Sequence, residues 1–283
     1  MNLSPLSLDK QIRQWFTEDI GNGDHSTLSC IPANAQGTSQ LIVKADGVIA
    51  GIEVAKRVFA IFDNTLRMEP LLHDGDHVRS GDIAFRVHGS IRSLLRTERL
   101  MLNIMQRMSG IATRTAQYVE RLKGTHTRVL DTRKTTPGLR LLEKEAVRIG
   151  GGTNHRFGLF DMIMLKDNHI DFAGGIEQAI ERAHAYCTTK NLPLKIEIEV
   201  RNLDELKCVL THGGVDRVML DNFDVPTTRR AVQLIGGTIE TESSGGITLD
   251  TLRAYAECGV DYISVGALTH SIKSLDMSFK AVK

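Results

Sequence analysis

Charged side chains follow short β-rich segments in the second half of this sequence. The earlier segments are followed by the cations Arg133, Lys134 and Lys166, whereas later segments end in the carboxylates Glu199 and Asp221. Arginine can bind a carboxylate or phosphate through two parallel hydrogen bonds, and lysine supplies a compact positive charge. This sorting of cations and carboxylates predicts a binding site for an anionic small molecule.

Two glycine turns late in the chain suit a phosphate group. The first precedes a helix predicted to start near Thr248, and the second follows the last predicted strand. Backbone N–H groups at a helix start can bind phosphate, and glycine permits its close approach. Either turn alone is most simply a tight connection, so it is their position in the series that favours phosphate. The turn residues are Ser244, Gly245, Gly246, Val265, Gly266 and Ala267.

The carboxylates and histidines leave several roles open. Carboxylates among cations are most often ion-pair partners, but they can also bind ribose hydroxyls or a Mg²⁺ ion that accompanies a diphosphate. Glu197 precedes Glu199 by one side-chain period of a strand, so either could contact a ligand. His155 and His169 lack the spacing of a zinc site, which favours hydrogen bonding over metal ligation.

Alternating β-rich and helical segments follow residue 125. This alternation predicts a parallel sheet, and the absence of a glycine-rich dinucleotide fingerprint favours a barrel over a doubly wound sheet. Six strands instead of eight predict an incomplete α/β barrel, with a six-stranded open sheet as the competing architecture. Barrel enzymes place functional residues where strands end, as here. The predicted strands are 128–131, 162–166, 195–200, 217–221, 238–242 and 261–265, and the predicted helices are 138–149, 174–188, 202–212, 225–235 and 248–258.

The first 110 residues are predicted to be a mixed α+β region. Apolar residues at helical spacing predict a helix over 8–20, and further helices are predicted over 53–62 and 92–122. The last of these is predicted to be interrupted near Ser109 and Gly110. Strands are predicted within 38–50 and 76–87, separated by turn residues.

Overall composition excludes several classes of protein. The chain has 283 residues, of which 41% are hydrophobic and 24% charged, as in ordinary globular proteins, and its net charge is +1. A surface for nucleic acid or membrane lipid is therefore not expected. The charge is uneven, with a surplus of +4 over 92–114 and +3 over 128–169. These windows could be solvated helix faces or parts of an anion-binding pocket.

Signals of cellular location are weak but consistent. The four cysteines form no C-x-x-C pair, and the first 20 residues show no cationic segment followed by an apolar run. No apolar run reaches the ~18–20 residues of a membrane span. We therefore expect no secretory signal, no membrane association and a cytoplasmic location.

The longest motif of the sequence resembles a known enzyme family. Residues 131–170 have the sequence DTRKTTPGLRLLEKEAVRIGGGTNHRFGLFDMIMLKDNHI. This stretch closely resembles the signature of the quinolinate phosphoribosyltransferases, which are type II phosphoribosyltransferases. Six shorter matches follow the same order along the chain, and they are EDIGNGDHST, RTERLMLNIMQRMSGIAT, EIEV, VMLDN, ESSGGI and GVDYISVGALTHS.

The resemblance implies a fold, a reaction and an assembly. It implies an N-terminal α/β sandwich domain over 1–110, with residues 272–283 packing back on it, and an incomplete α/β barrel over 111–271. The implied reaction is decarboxylating phosphoribosyl transfer from phosphoribosyl pyrophosphate to quinolinate in NAD biosynthesis. The implied assembly is a homodimer in which Arg99 reaches into the neighbouring subunit's active site.

The resemblance also implies roles for individual residues. Thr132, Arg133, His155 and Arg156 would bind the two quinolinate carboxylates, and Lys134 and Lys166 would contact quinolinate or phosphate. Glu199 and Asp221 would bind the ribose hydroxyls and the Mg²⁺–pyrophosphate, with Mg²⁺ bound mainly through the substrate. Both glycine turns would bind the 5′-phosphate. The implied catalytic residues are Lys134, Lys166, Glu199 and Asp221.

Two alternatives remain at the level of sequence. A related type II phosphoribosyltransferase could act on a different acid, because the phosphate-binding residues do not identify the acceptor. Residues 41–48 and the turn at Asp74 also faintly resemble a carrier domain, with Lys44 as an attachment site. An ordinary strand lysine explains Lys44 more simply.

Overall fold

The computed structural model describes residues 5–282, with their side chains from residue 8 onward. The chain divides into two compact units. The first unit comprises Met1–Ala116, Leu141–Gly151 and Ile272–Lys283, and the second unit comprises Gln117–Arg140 and Gly152–Ser271.

The helices and strands are numbered in chain order. The helices are α1 Pro5–Ile20, α2 His25–Cys30, α3 Ile52–Phe62, α4 Ile91–Arg121, α5 Arg140–Ile149, α6 Asp167–Ala173, α7 Ile176–Lys190, α8 Leu203–His212, α9 Val225–Ile235, α10 Leu252–Ala256 and α11 Ala267–His270. The strands are β1 Gln36–Val43, β2 Gly47–Val48, β3 Arg67–Pro70, β4 His77–Val78, β5 Ile83–Ser90, β6 Arg128–Leu130, β7 Ile163–Leu165, β8 Ile196–Val200, β9 Arg217–Asp221, β10 Glu240–Ser244, β11 Tyr262–Ser264 and β12 Met277–Ala281.

The first unit is built on an antiparallel sheet with the strand order β12-β1-β5-β3. The last strand, β12, pairs with β1, so a segment late in the chain completes the sheet of the first unit. An aromatic cluster packs α3 on this sheet, because the Phe59 ring lies 6.0 Å from Phe85 and 6.2 Å from Phe279. Helix α1 adds a further layer through Phe16, whose ring lies 4.8 Å from that of Phe62.

Helix α4 corrects one expectation from the sequence. It continues without a break from Ile91 to Arg121, so the interruption predicted near Ser109 and Gly110 is wrong. A Cβ on Gly110 would overlap the backbone carbonyl oxygen of Lys273. Glycine at this position therefore permits close approach of a neighbouring chain segment and does not end the helix.

The second unit contains six parallel strands with the order β6-β11-β10-β9-β8-β7. Strands β7 to β11 are neighbours in chain order, and the first strand, β6, lies beside the last. In a doubly wound sheet the strand order starts at an inner strand and then reverses. In a barrel, neighbouring strands follow one another in the chain and the first strand lies beside the last, as they do here. Within the described residues no ladder joins β6 to β7, so the sheet is an incomplete α/β barrel.

The structure differs from the sequence prediction in its shortest elements. The helix predicted over 248–258 is limited to Leu252–Ala256. Before it, the Thr251 hydroxyl accepts a hydrogen bond from the Thr248 amide at 3.0 Å, and such local bonds compete with helix formation. Five elements were not predicted, namely α2, β3, α6, α11 and β12. Among the described residues, no helix combines the length and apolar character needed to cross a membrane.

Candidate active site

The carboxyl ends of the parallel strands border a cleft of about 710 Å³. All the residues that line it belong to the second unit. Fourteen residues singled out from the sequence lie in this lining, and they are Thr132, Arg133, Lys134, His155, Arg156, Lys166, Glu199, Asp221, Ser244, Gly245, Gly246, Val265, Gly266 and Ala267.

The register of the sheet explains this convergence. Side chains alternate between the two faces of a strand, so residues two apart share a face. Glu199 on β8 is paired with Met219 on β9, and Asp221 on β9 is paired with Ser244 on β10. Residues of one face thus meet at the carboxyl ends of the strands, although they are separated by about 20 positions in sequence.

Two arginines supply the cleft with closely spaced positive charge. The Arg156 guanidinium is fixed by a hydrogen bond of 3.1 Å to the Met162 carbonyl oxygen. Burial lowers the pKa of Arg156, and the nearby charge of Arg133 lowers it further. Because the two guanidinium groups repel each other, a ligand with two negative charges would relieve the repulsion.

The carboxylates at residues 197 and 199 occupy different environments. The Glu199 carboxylate lines the cleft and accepts a hydrogen bond from Lys166 Nζ at 3.0 Å. Glu197 lies two residues earlier on the same strand, and its side chain is fully buried. Of the two, Glu199 is therefore the carboxylate that can contact a ligand in the cleft.

Asp221 is oriented by its neighbour in sequence. Asn222 Nδ2 donates a hydrogen bond of 2.6 Å to the Asp221 carboxylate. Asn222 adopts a φ of 56°, a left-handed conformation that is uncommon for residues other than glycine and that recurs at functional sites. Its backbone N–H donates to the Ser244 carbonyl oxygen at 2.9 Å, which ties this turn to the first glycine turn.

The first glycine turn differs from the sequence expectation. Gly245 and Gly246 have φ angles of 97° and 60°, so both require backbone conformations that favour glycine. The following helix begins at Leu252 and not near Thr248, so the helix start does not lie directly beside the turn. Any phosphate bound here would meet the N–H groups of the turn itself.

The second glycine turn is packed against Lys134 and His270 of the cleft lining. A Cβ on Gly266 would lie 3.0 Å from His270 Nε2 and 3.1 Å from Lys134 Cδ. The Thr269 hydroxyl donates to the Lys134 carbonyl oxygen at 2.8 Å, which holds α11 against the segment after β6. Lys134 and the second turn are therefore close neighbours.

His155 has both ring nitrogens directed toward the protein. Nδ1 accepts a hydrogen bond of 2.6 Å from the Arg156 amide. Nε2 is buried, 3.0 Å from a Glu197 carboxylate oxygen and 3.4 Å from one of Glu242. His155 thus borders the cleft with its ring, while Nε2 faces two buried carboxylates and Nδ1 faces the Arg156 amide.

Four residues considered from the sequence lie outside the cleft lining, namely Arg99, Lys44, Glu197 and His169. Arg99 is exposed on α4 in the first unit, and Lys44 is exposed just after β1.

The sequence analysis did not single out eight further residues of the lining. They are Met164, Met219, Asn222, Glu242, Ile247, Thr248, Ser264 and His270. Several of them lie two residues from a predicted site residue on the same strand, such as Met219 before Asp221 and Glu242 before Ser244. Side-chain alternation along the predicted strands could have identified these, whereas nothing in the sequence singles out His270.

The fold and the cleft together define a class of enzyme that binds two anionic substrates at the carboxyl ends of a parallel α/β sheet. Paired arginines suit a carboxylate-bearing molecule, glycine turns suit a phosphate, and carboxylates suit hydroxyl groups or a metal ion. These groups orient and neutralise charged substrates. The cleft contains no Ser-His-Asp arrangement, among its described residues, for nucleophilic catalysis.

Comparison with known proteins identifies the family. Residues 111–280 match the family described as quinolinate phosphoribosyl transferase, C-terminal domain, and residues 24–109 match its N-terminal domain. A protein of Oryza sativa subsp. japonica named nicotinate-nucleotide pyrophosphorylase (carboxylating), chloroplastic, is 45% identical over 280 residues, covering 94% of this chain and 75% of that protein. A Bacillus subtilis protein named probable nicotinate-nucleotide pyrophosphorylase (carboxylating) is 42% identical, covering 98% and 94%.

A solved structure agrees with these relatives. The crystal structure of NadC from Streptococcus pyogenes superimposes with a TM-score of 0.93 at 42% identity, and the match covers 100% of both chains. The chain belongs to the quinolinate phosphoribosyltransferase family, and the resemblance noted in the sequence is confirmed.

Proposed function

We propose that this chain transfers the phosphoribosyl group of phosphoribosyl pyrophosphate to quinolinate, forming nicotinate mononucleotide, pyrophosphate and CO₂ in NAD biosynthesis. The observation that supports this most directly is the pair of neighbouring guanidinium groups, Arg133 and Arg156, in the same cleft as the glycine turns. A pyridine with two carboxylates matches two arginines better than a monoacid does.

The acceptor would be bound by the arginines and the segment after β6. Arg133 and Arg156 would each hydrogen-bond a quinolinate carboxylate, with the Thr132 segment beside them. Lys134, next to the second glycine turn, would contact a carboxylate or a phosphate oxygen. Charged hydrogen bonds of this kind contribute about 1.5–3 kcal/mol each.

The donor would be bound by the opposite set of groups. Glu199 and Asp221 would accept hydrogen bonds from the ribose hydroxyls, and Lys166 would neutralise phosphate charge while it holds Glu199 in place. The two glycine turns would bind the 5′-phosphate through backbone N–H groups.

Mg²⁺ fits the donor set of this cleft. The ion prefers oxygen ligands and usually binds through one or two carboxylates together with substrate phosphates. Glu199 and Asp221 are the cleft carboxylates that could hold a Mg²⁺–pyrophosphate group. When bound, the ion would neutralise the negative charge of the leaving pyrophosphate.

The reaction itself needs mostly orientation and charge stabilisation. The ring nitrogen of quinolinate would attack C1 of the ribose as the bond to pyrophosphate breaks, which leaves a positively charged pyridinium ring. The carbon–carbon bond to the adjacent carboxylate then breaks, its electrons remain on the ring carbon beside the cationic nitrogen, and that carbon takes a proton. Positioned cations and carboxylates can lower the barrier to such steps without a covalent intermediate.

Assembly and location complete the proposal. The active enzyme is proposed to be a homodimer in which the exposed Arg99 of one subunit extends into the other subunit's cleft. A cytoplasmic location is proposed with it, in line with the four free cysteines. A carrier function through Lys44 is not proposed, because Lys44 does not line the cleft.

A direct assay tests the proposed function. Purified protein is incubated with phosphoribosyl pyrophosphate, Mg²⁺ and either quinolinate or nicotinate, and the nucleotide product is identified by mass spectrometry. Formation of nicotinate mononucleotide from quinolinate, and not from nicotinate, is expected. The related type II phosphoribosyltransferase would be indicated instead by turnover of nicotinate with no response to quinolinate.

A further inference from the structure

A group of buried charged residues extends from the cleft lining, through His155 and Glu242, into the parallel sheet, and the proposed reaction gives it no role. We define the buried cluster as His155, Glu197, Arg217 and Glu242, which are 8%, 0%, 7% and 0% exposed. Burying this many ionisable groups is costly unless they compensate one another. Their arrangement therefore requires an explanation beyond packing.

The cluster is assembled by the register of three neighbouring strands. Glu197 on β8 is paired with Arg217 on β9, which is paired with Glu240 on β10. Glu242 lies one side-chain period further along β10, on the same face and nearer the cleft. Arg217 Nη1 donates to the Glu242 carboxylate at 3.2 Å, and Nη2 donates to that of Glu240 at 3.1 Å.

His155 connects this cluster to the cleft. The Glu242 oxygen that accepts from Arg217 also lies 3.4 Å from His155 Nε2, and Glu197 lies 3.0 Å from the same nitrogen. On its other side, the His155 ring accepts the Arg156 amide hydrogen at 2.6 Å. The backbone amide of His155 donates to Asp131 at 2.8 Å, so the position of the residue is fixed from several directions.

The protonation of His155, Glu197 and Glu242 is set by their contacts with one another. The carboxylates of Glu197 and Glu242 lie against the same ring nitrogen of His155, Nε2, and favour a proton on it. Because Nδ1 accepts the Arg156 amide, we place the ring's proton on Nε2, facing the carboxylates. Burial, with the charge of Glu242, raises the pKa of Glu197. Burial alone would also raise the pKa of Glu242. Contacts with His155, Ser264 and Arg217 instead hold the pKa of Glu242 below its usual range.

A metal ion is a poor occupant of this cluster. His155, Glu197 and Glu242 do offer ligand atoms within 4.8 Å of one another. However, the Arg217 guanidinium already compensates Glu242 and would lie beside any added cation. Electrostatics thus favours a hydrogen-bonded assembly over metal binding.

We propose that Glu242 and Arg217 are positioning residues for acceptor binding, acting through His155 on Arg156. In this arrangement Arg217 holds the Glu242 carboxylate, Glu242 holds the His155 ring, and the ring fixes the backbone amide of Arg156. His155 therefore supports the arginine that meets the substrate. The inference rests on the proposed function, which makes quinolinate the ligand of Arg156.

The substitution Glu242→Gln tests this chain of contacts. Glutamine keeps the shape of the side chain but removes its charge, so the His155 ring should lose its fixed position. We expect the KM for quinolinate to rise about tenfold, in the range for one charged hydrogen bond. The KM for phosphoribosyl pyrophosphate should change less than about twofold, because the donor site does not depend on this contact.

Glu240→Gln is the matched control. Glu240 lies on the same strand and face and pairs with the same Arg217, but the contact to His155 belongs to Glu242. The control should keep a KM for quinolinate within about twofold of the wild type. An equal rise in both variants, or no rise in Glu242→Gln, would overturn the inference. Thermal unfolding of each variant separates loss of binding from loss of folding.

A second variant keeps the test decisive if Glu242→Gln does not fold. Arg217→Lys retains the positive charge but loses the planar fork that joins Glu240 and Glu242. A selective rise in the KM for quinolinate is again expected, and an unchanged KM would contradict the inference. Wild-type protein without activity toward quinolinate would refute the proposed function and the inference with it. Active wild type with an unaffected Glu242→Gln variant would refute the inference alone.

Discussion

At the scale of single residues, the cleft separates groups that meet substrate from groups that support them. Arg133 and Lys134 are exposed after β6, and Arg156 and Lys166 are partly buried. Each supporting contact is specific, as with Lys166 on Glu199 and Asn222 on Asp221. Such contacts fix side-chain rotamers before a ligand arrives, which lowers the entropic cost of binding.

Arg133→Ala should weaken acceptor binding selectively. The substitution removes a charged hydrogen-bond donor worth about 1.5–3 kcal/mol, so kcat/KM for quinolinate should fall by more than about tenfold. Arg128→Ala is a suitable control, because Arg128 is exposed at the opposite end of β6 and does not line the cleft. Steady-state kinetics for both variants make the comparison, and wild-type kcat/KM in Arg133→Ala would remove this residue from the acceptor site.

At the scale of elements, the sequence predicted the regular pieces better than the short ones. All six parallel strands begin and end within two residues of their predicted positions, because their apolar runs and turn residues are distinct. Helix α6 was missed since its seven residues follow β7 directly, and it ends at Gly174 in a left-handed conformation. Most of the lining was found from strand ends, and side-chain alternation could have added Met219 and Glu242, which lie two residues before Asp221 and Ser244 on the same strands.

The first glycine turn provides a prediction about an element. A Cβ on Gly245 would overlap the Asn222 side chain, whereas one on Gly246 meets no atom within 4 Å. Both positions have positive φ, so each alanine substitution should cost about 1–2 kcal/mol of strain. Only Gly245→Ala should also displace Asn222 and raise the KM for phosphoribosyl pyrophosphate. Kinetics and thermal unfolding of both variants test this prediction. Equal KM values for phosphoribosyl pyrophosphate in the Gly245→Ala and Gly246→Ala proteins would contradict a link between the glycine turn and the turn at Asn222.

Helix α4 provides a second prediction at this scale. Gly110→Ala should destabilise the fold by about 1–3 kcal/mol, because the new methyl group would overlap the Lys273 carbonyl oxygen. Asn103 is exposed on the same helix, so the control substitution Asn103→Ala should not reduce the free energy of unfolding. Urea unfolding of the two variants gives the comparison. A stabilised Gly110→Ala protein would restore the earlier view of Gly110 as a helix interruption.

At the scale of the whole molecule, the uneven charge has two different meanings. Four cations of the window 128–169 line the cleft, and they are Arg133, Lys134, Arg156 and Lys166. In the window 92–114, Arg92 donates to the Ile31 carbonyl oxygen and Arg107 pairs with Glu143, so these two cations stabilise the fold. Composition located a surplus of charge, but only three-dimensional packing separates cations that bind ligands from cations that stabilise the fold.

The proposed dimer makes a prediction about mixed subunits. Arg99→Ala and Arg133→Ala proteins should each have low activity as pure dimers. In a mixed dimer, one cleft would combine an intact Arg133 with an intact Arg99 from the partner. Dissociating and reassociating an equal mixture should therefore restore about a quarter of the wild-type activity. No recovery, with mixed dimers verified by mass spectrometry, would contradict a site completed across subunits.

Coupling of phosphoribosyl transfer to decarboxylation of a diacid distinguishes the proposed function from transfer to a monoacid. Its most direct test is the ratio of CO₂ to pyrophosphate released when the protein turns over quinolinate with phosphoribosyl pyrophosphate and Mg²⁺. One CO₂ for each pyrophosphate is expected, because the cationic ring formed by transfer promotes loss of the adjacent carboxylate. Pyrophosphate released without CO₂, or released only when nicotinate replaces quinolinate, would contradict the account.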